Sequence, residues 1–283
     1  MDRAVAIDNP SPTTFPLREI DDGIVVVRVA VLESALPGTT AVFTTRLGGV
    51  SRPPYDSLNM GYHVGDSPVD VTENRLRVFR ALGLRADRLV TCAQVHGDRV
   101  AVVSGSGSVA GADGLVTGVG GLTLAVFCAD CVPVWVLDPR AGAVAVVHAG
   151  WRGTLTRIAA RAVEVLRQKF GSRPRDLVAA VGPSIGPCCY EVGPEVAEQA
   201  AAALGPGVIL LGAAGTRAHL DLREGNRLAL LEAGVPERGI HVAGLCTCCR
   251  EDLFHSHRRV VRASGPDARS GRMAALARLP ERA

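Results

Sequence analysis

Three apolar runs close together in the middle of the chain constrain its fold most. Leu122-Thr123-Leu124-Ala125-Val126-Phe127, Val132-Pro133-Val134-Trp135-Val136-Leu137 and Val144-Ala145-Val146-Val147 are short, rich in β-branched residues and free of charge. Runs of that length and composition read as buried strands. Asp138-Pro139-Arg140-Ala141-Gly142 supplies turn chemistry between the second and third, which predicts a hairpin arm returning to the next strand. Strands are also expected over residues 24–29 and 177–181, the latter running into a glycine-marked turn at 182–186.

Helical spacing appears between and after these runs. Leu76, Phe79 and Leu82 predict a helix over 71–82, with Asp70 or Thr72 as its cap. Leu155, Ile158, Ala159, Ala162, Leu166 and Phe170 share one face of a helix expected from 154 to 170. Pro194 suits the first position of a helix reaching about Leu204, and Asp221 with Glu224 starts another ending near Gly234. Strands thus alternate with helices across the second half. The expectation is a single α/β domain over residues 17–283, mixed sheets flanked by helices, after a flexible polar and Pro-rich tail at 1–16. The Gly/Ser-rich stretch 104–121 reads as a mobile loop near the site, and no internal repeat is found.

Chemistry-bearing residues cluster in the turns. His96 lies in Gln94-Val95-His96-Gly97, Cys131 in Ala129-Asp130-Cys131, and His148 in Val147-His148-Ala149-Gly150-Trp151-Arg152-Gly153. These are borderline and soft donors that suit Zn²⁺, and three protein ligands are one short of a closed tetrahedron, so they read as a catalytic metal site with an open position. If residues 122–127 and 144–147 are neighbouring strands, Cys131 and His148 emerge together at one edge of a sheet, where α/β folds keep their chemistry. Arg46, in Thr44-Thr45-Arg46-Leu47-Gly48-Gly49, and Arg152, at a helix start, are candidates for an anion. Asn59 and His63 are candidate substrate contacts, Asp98 reads as turn chemistry, and Asp130 is placed to orient a ligand from behind. Cys128, Cys188, Cys189, Cys246, Cys248 and Cys249 are read as structural; adjacent cysteines seldom ligate one ion together.

Composition removes other classes. In 283 residues, 31 basic against 28 acidic side chains leave a net charge of +3, too balanced for a nucleic-acid or membrane surface. No stretch approaches the roughly 20 apolar residues of a spanning helix, and the N-terminus lacks the apolar core of a signal peptide, so a cytoplasmic protein with reduced thiols is expected.

Five blocks carry a resemblance. Residues 127–154, the segments 43–51 and 57–66, Gly182-Pro183-Ser184-Ile185-Gly186-Pro187-Cys188-Cys189-Tyr190-Glu191-Val192-Gly193, and Cys246-Thr247 followed by Ser256-His257-Arg258-Arg259 and Gly271-Arg272-Met273 together resemble the polyphenol oxidase or laccase-domain family. That resemblance implies a zinc-dependent purine nucleoside phosphorylase with adenosine deaminase side activity, in a layered fold similar to Cys-His deamidating toxins. It implies His96, Cys131 and His148 as metal ligands, and Arg152 beside them in the catalytic set. Arg46, Asn59, His63 and Arg152 would meet nucleoside and phosphate. The chain departs from the family pattern at Val260, where an acidic residue is usual. Three other functions are weighed. A copper phenol oxidase needs a multi-histidine cluster, and the chain has seven histidines with one His-x-His, at 255–257. A metal-free cysteine hydrolase would use Cys131 as nucleophile with His148 or His96 as base. A non-catalytic interaction protein would leave so many polar turns without a purpose.

Overall fold

The computed structural model describes residues 3–4, 13–210 and 217–281. Among them, strands form three sheets. The first runs in the order Arg3–Ala4, Leu17–Asp21, Ile24–Arg28, Thr40–Thr44, Met273–Arg278, Thr123–Cys128, Leu89–Cys92, Gly107–Val109. The second runs Ile240–Val242, Val178–Val181, Val132–Asp138, Ala143–Ala149, Gly114–Thr117, Val100–Val102. A small third sheet joins Glu191–Val192, Ala218–Leu220 and Ile209–Leu210.

Period-2 alternation decides how these layers stack. Leu124, Val126, Cys128, Met273 and Ala275 of the first sheet share a core with Trp135, Leu137, Val144 and Val146 of the second. The intervening residues point the other way. Ala125, Phe127, Ala274 and Leu276 meet Val78 and Phe79 of the helix Pro68–Ala81. Val134, Val136, Ala145 and Val147 meet Ile158, Ala162 and Leu166 of the helix Ile158–Phe170, and Ala229 and Leu230 of the helix Leu222–Glu232. The result is helix, sheet, sheet, helices: strands buried on both faces need cover on both. Each fully buried Val or Leu here contributes about 1.5–3 kcal/mol. Trp135, fully buried between the sheets, satisfies its indole N–H by donating to the Leu276 carbonyl at 3.0 Å.

The expected hairpin is present, Val132 facing Ala149 and Pro133 facing His148. The two strands flanking the site are not neighbours in one sheet, however. Thr123–Cys128 and Ala143–Ala149 lie in different sheets that face each other, and Cys131 sits where the chain passes from one to the other. Continuous apolar runs look alike in either sheet, so periodicity cannot assign them.

Other boundaries shift for local reasons. The helix at 68–81 is capped by the Ser67 hydroxyl accepting from Asp70 N–H, with Pro68 in its first turn. The helix expected from 154 is two: Trp151–Leu155 and Ile158–Phe170, broken at Arg157, whose φ of 61° is left-handed. Arg157 is held there by the Ala203 carbonyl and Glu232. Pro194 and Asp221 start their helices as expected, Asp221 accepting from the amides of Arg223 and Glu224. The stretch 104–121 is no mobile loop: it contributes Gly107–Val109 to one sheet and Gly114–Thr117 to the other. Most of the tail expected at 1–16 lies outside the described residues, but Phe15 and Pro16 are buried and so belong to the domain. No helix among the described residues is long and apolar enough to cross a membrane.

Candidate metal centre and substrate pocket

His96, Cys131 and His148 come together although they arise from three unconnected turns. One ligand atom from each lies within 4.8 Å of the others. His148 ends the strand Ala143–Ala149 and is buried, Cys131 is half-buried, and His96 is exposed. Both non-strand turns use left-handed backbone at a residue other than glycine, His96 with φ 59° and Asp130 with φ 85°. Such backbone persists only where its surroundings hold it. Gly150 matters for the opposite reason: a Cβ there would stand 2.6 Å from His96 Nδ1 and 3.4 Å from the Cys131 sulfur. Only glycine leaves that cradle open.

One carboxylate arranges most of this. Asp113 is fully buried, and its Oδ1 accepts from the His96 amide at 3.0 Å and meets His148 Nδ1 at 2.9 Å. Its Oδ2 accepts from the amides of Val95 at 3.1 Å and Gly97 at 2.8 Å. The Asp113 carbonyl accepts from His148 N–H at 2.7 Å. A carboxylate on Nδ1 fixes the imidazole tautomer and leaves Nε2 for a metal. Asp113 was missed because it falls in the stretch read as a loop; the nearest signal is its place between the Gly/Ser run and the apolar strand that follows.

Electrostatics favour a charged set of donors. Burial alone would raise the Cys131 thiol, yet His148 and His96 beside it bring it down to about 6. Burial would lower His148, but the Cys131 sulfur and Asp113 push it up to about 9. Burial also opposes ionisation of Asp113, and His148 with the Gly97 and Val95 amides outweighs that, holding the carboxyl below its ordinary range. The Cys131 sulfur and the His148 ring thus each favour the charged form of the other. The three donors and the open cradle fit a soft or borderline divalent ion.

Two cavities of about 230 and 300 Å³ flank the triad and share His96, Ala129, Cys131 and His257. Together they reach the range of a small-molecule site. The first is walled by Trp151, Arg152, Ile185, Tyr190, Leu222 and Arg258; the second by His63, Gln94, Phe127 and Arg272. Arg152 stacks over Trp151 at 4.3 Å and Arg258 over Tyr190 at 4.8 Å. Among the described residues, no ion-pair partner is seen for Arg152.

Of the other expected contacts, His63 and Arg152 line the cavities, while Arg46 and Asn59 do not. Arg46 is held by the Asp56 carboxylate at 2.6 Å and carbonyl at 2.8 Å, and by the Glu251 carbonyl. Asn59 is fully buried, its amide donating to Asp66 and the Gly61 carbonyl while its oxygen accepts from the amides of Gly61 and Arg272. Both are tied up in shaping the 46–66 loops. Asp130 does not orient a ligand: its carboxylate accepts from the Thr247 hydroxyl and the Arg258 amide. Cys128 is core packing, as expected. Arg272, His257 and Tyr190 stand out in the sequence only as members of motif blocks, because nothing local shows that segments so distant return to the triad.

The sequence matches, over residues 40–280, the family described as multi-copper polyphenol oxidoreductase laccase. It is 44% identical over 234 residues to the purine nucleoside phosphorylase YlmD of Geobacillus stearothermophilus, covering 78% of this chain and 85% of that protein. It is 39% identical over 239 residues to the adenosine deaminase RL5 of an unknown prokaryotic organism, covering 80% and 90%. The crystal structure of YlmD from Geobacillus stearothermophilus superposes with a TM-score of 0.85 over 94% of this chain and 99% of that one, at 39% identity. Matched along most of its length in sequence and in fold, the chain belongs to the laccase-like polyphenol oxidoreductase family, alongside relatives named as a purine nucleoside phosphorylase and an adenosine deaminase.

Proposed function

We propose that the chain is a zinc-dependent purine nucleoside phosphorylase of the cytoplasm, its single domain splitting adenosine, inosine, guanosine and 5′-methylthioadenosine with phosphate, and deaminating adenosine more slowly in the same pocket. The observation that carries this reading is the convergence of His96, Cys131 and His148 between an aromatic-walled cavity and one bearing Arg272 and His63. The names of the relatives supply the reaction class.

The apolar wall of Trp151, Ile185, Tyr190 and Leu222 suits a planar base. Arg152, over the Trp151 ring and without an ion pair among the described residues, suits phosphate in a bidentate fork. Phosphorolysis requires that anion to reach C1′ of the ribose while the base departs and positive charge grows on the sugar. Bound zinc would act as a Lewis acid toward a substrate oxygen. Arg152 orients the nucleophile, and the buried Asp113 keeps His148 in one tautomer throughout.

The test is phosphate dependence. Purified, zinc-loaded protein should release base from inosine and adenosine together with ribose 1-phosphate, and should do neither in phosphate-free buffer. Arg152→Ala is expected to raise the KM for phosphate by about tenfold or more, the loss of one charge-assisted contact, with little change in deamination. Base release independent of phosphate would make the enzyme a hydrolase and overturn the reading. The thiolate–imidazolium pair also suits a metal-free cysteine nucleophile; full turnover in thoroughly chelated protein would favour that alternative.

A further inference from the structure

A second group of metal-ligating side chains lies outside the triad. Cys188 and Cys189 follow the 182–186 turn, and Cys246 and Cys249 form a Cys-x-x-Cys turn some 60 residues later in the chain. The fold brings the two segments into contact: the Ser184 amide donates to the Leu245 carbonyl, the Thr247 amide to the Ser184 carbonyl at 3.0 Å, and Ser184 bridges Cys246. All four sulfurs lie within 4.8 Å of one another. We propose that Cys188, Cys189, Cys246 and Cys249 hold one zinc ion in a closed four-thiolate site that clips these two loops together.

Distances argue for a shared ion over a bond between two of the sulfurs. The Cys249 sulfur stands 3.5 Å from that of Cys188 and 3.4 Å from that of Cys189. A disulfide requires about 2.05 Å and would single out one partner. Four sulfurs at about 2.3 Å from a central zinc stand roughly 3.8 Å apart, close to what is seen. Cys249 is equidistant from two partners because they surround a common point.

The surroundings complete the site. The Gly186 amide donates to the Cys246 sulfur at 3.1 Å. A backbone amide turned onto the first sulfur of a Cys-x-x-Cys turn suits a metal-bound thiolate. Four thiolates around a divalent ion leave excess negative charge, and arginines ring the cluster. Arg259 donates to the carbonyls of Thr247 and Cys248, and Arg262 to that of Cys189. A Cβ placed on Gly186 would lie 2.8 Å from Arg223 Nη2 and 3.1 Å from the Cys188 sulfur, so both pack closely on that glycine. Four protein ligands leave no open position, which makes the role structural. The clipped loops carry Ile185 and Tyr190 of the pocket wall, and Thr247, which binds Asp130 beside Cys131. The ion would thus brace one wall of the substrate pocket from behind.

Zinc content tests this independently of the proposed reaction. Wild-type protein, purified under reducing conditions in metal-free buffers and assayed by elemental analysis, should carry about two zinc ions per chain. The double variant Cys131→Ala, His148→Ala empties the first centre and should retain about one. Adding Cys189→Ser and Cys249→Ser should remove it and lower Tm by several degrees. Cobalt loaded into the first double variant should give the strong near-ultraviolet charge transfer of several thiolates. Should the cysteine variants fail to fold, the wild-type stoichiometry and the cobalt spectrum of the Cys131, His148 double variant still decide. No metal in that variant after zinc addition, a disulfide joining Cys249 to Cys188 or Cys189 in freshly purified protein, or iron in place of zinc would each overturn the assignment.

Discussion

Cys131→Ala and His148→Ala are each expected to lower kcat/KM for nucleoside by about a thousandfold or more, a loss near 4 kcal/mol of transition-state stabilisation. The size follows from geometry. Each removes one of three donors that meet within 4.8 Å, and a soft divalent ion left with two ligands dissociates. Zinc content measured on the same samples must fall with activity at the triad, while zinc bound elsewhere stays. Cys128→Ala is the control, since its side chain packs between the sheets three residues away and burial holds its thiol protonated. It should stay within a few-fold of wild type in activity and cost about 1 kcal/mol of stability. A fully active Cys131→Ala enzyme would remove the metal centre from the mechanism.

The second large effect belongs to Asp113. Removing its carboxylate leaves the part-buried amides of Val95, His96 and Gly97 and the buried His148 Nδ1 without their acceptor. Each orphaned donor costs about 1–3 kcal/mol, so Asp113→Ala should destabilise the fold by about 3 kcal/mol or more. Asp113→Asn keeps the shape and one acceptor oxygen, and separates structure from positioning. It should fold with a smaller loss of Tm yet bind zinc at the triad about 10–100-fold more weakly, because His148 is no longer held in one tautomer by a carboxylate. Competition with a chelator of known affinity measures that loss, and kcat/KM at saturating zinc shows whether misplacement persists once the ion is restored. Unchanged zinc affinity in Asp113→Asn would reduce Asp113 to a turn-former.

Arg46 and Asn59 show what a sequence leaves open. Both lie in motif blocks, and both have the chemistry to bind phosphate or ribose. In the fold their donors meet Asp56 and Asp66, ten and seven residues away, and their place in the block reflects the shape of the 46–66 loops. Side-chain chemistry is visible in a sequence; whether it is already satisfied is not.

What the sequence by itself determined is whatever depends on short-range order. The hairpin from Val132 to Ala149 was legible because apolar runs and the turn between them are contiguous. The starts of the helices at Pro194 and Asp221 were legible because caps act within one turn. The three candidate donors His96, Cys131 and His148 stand out in the sequence because each lies in its own turn, and the fold brings them together. Tertiary structure alone decided which sheet each strand joined, since a strand buried on both faces looks the same in either. It alone placed Asp113 under both His96 and His148, across 17 and 35 residues of chain, and brought two cysteine pairs together across about 60. Those contacts depend on which faces meet when two sheets stack. No periodicity within a strand or helix encodes that meeting, so it becomes visible only in the folded molecule.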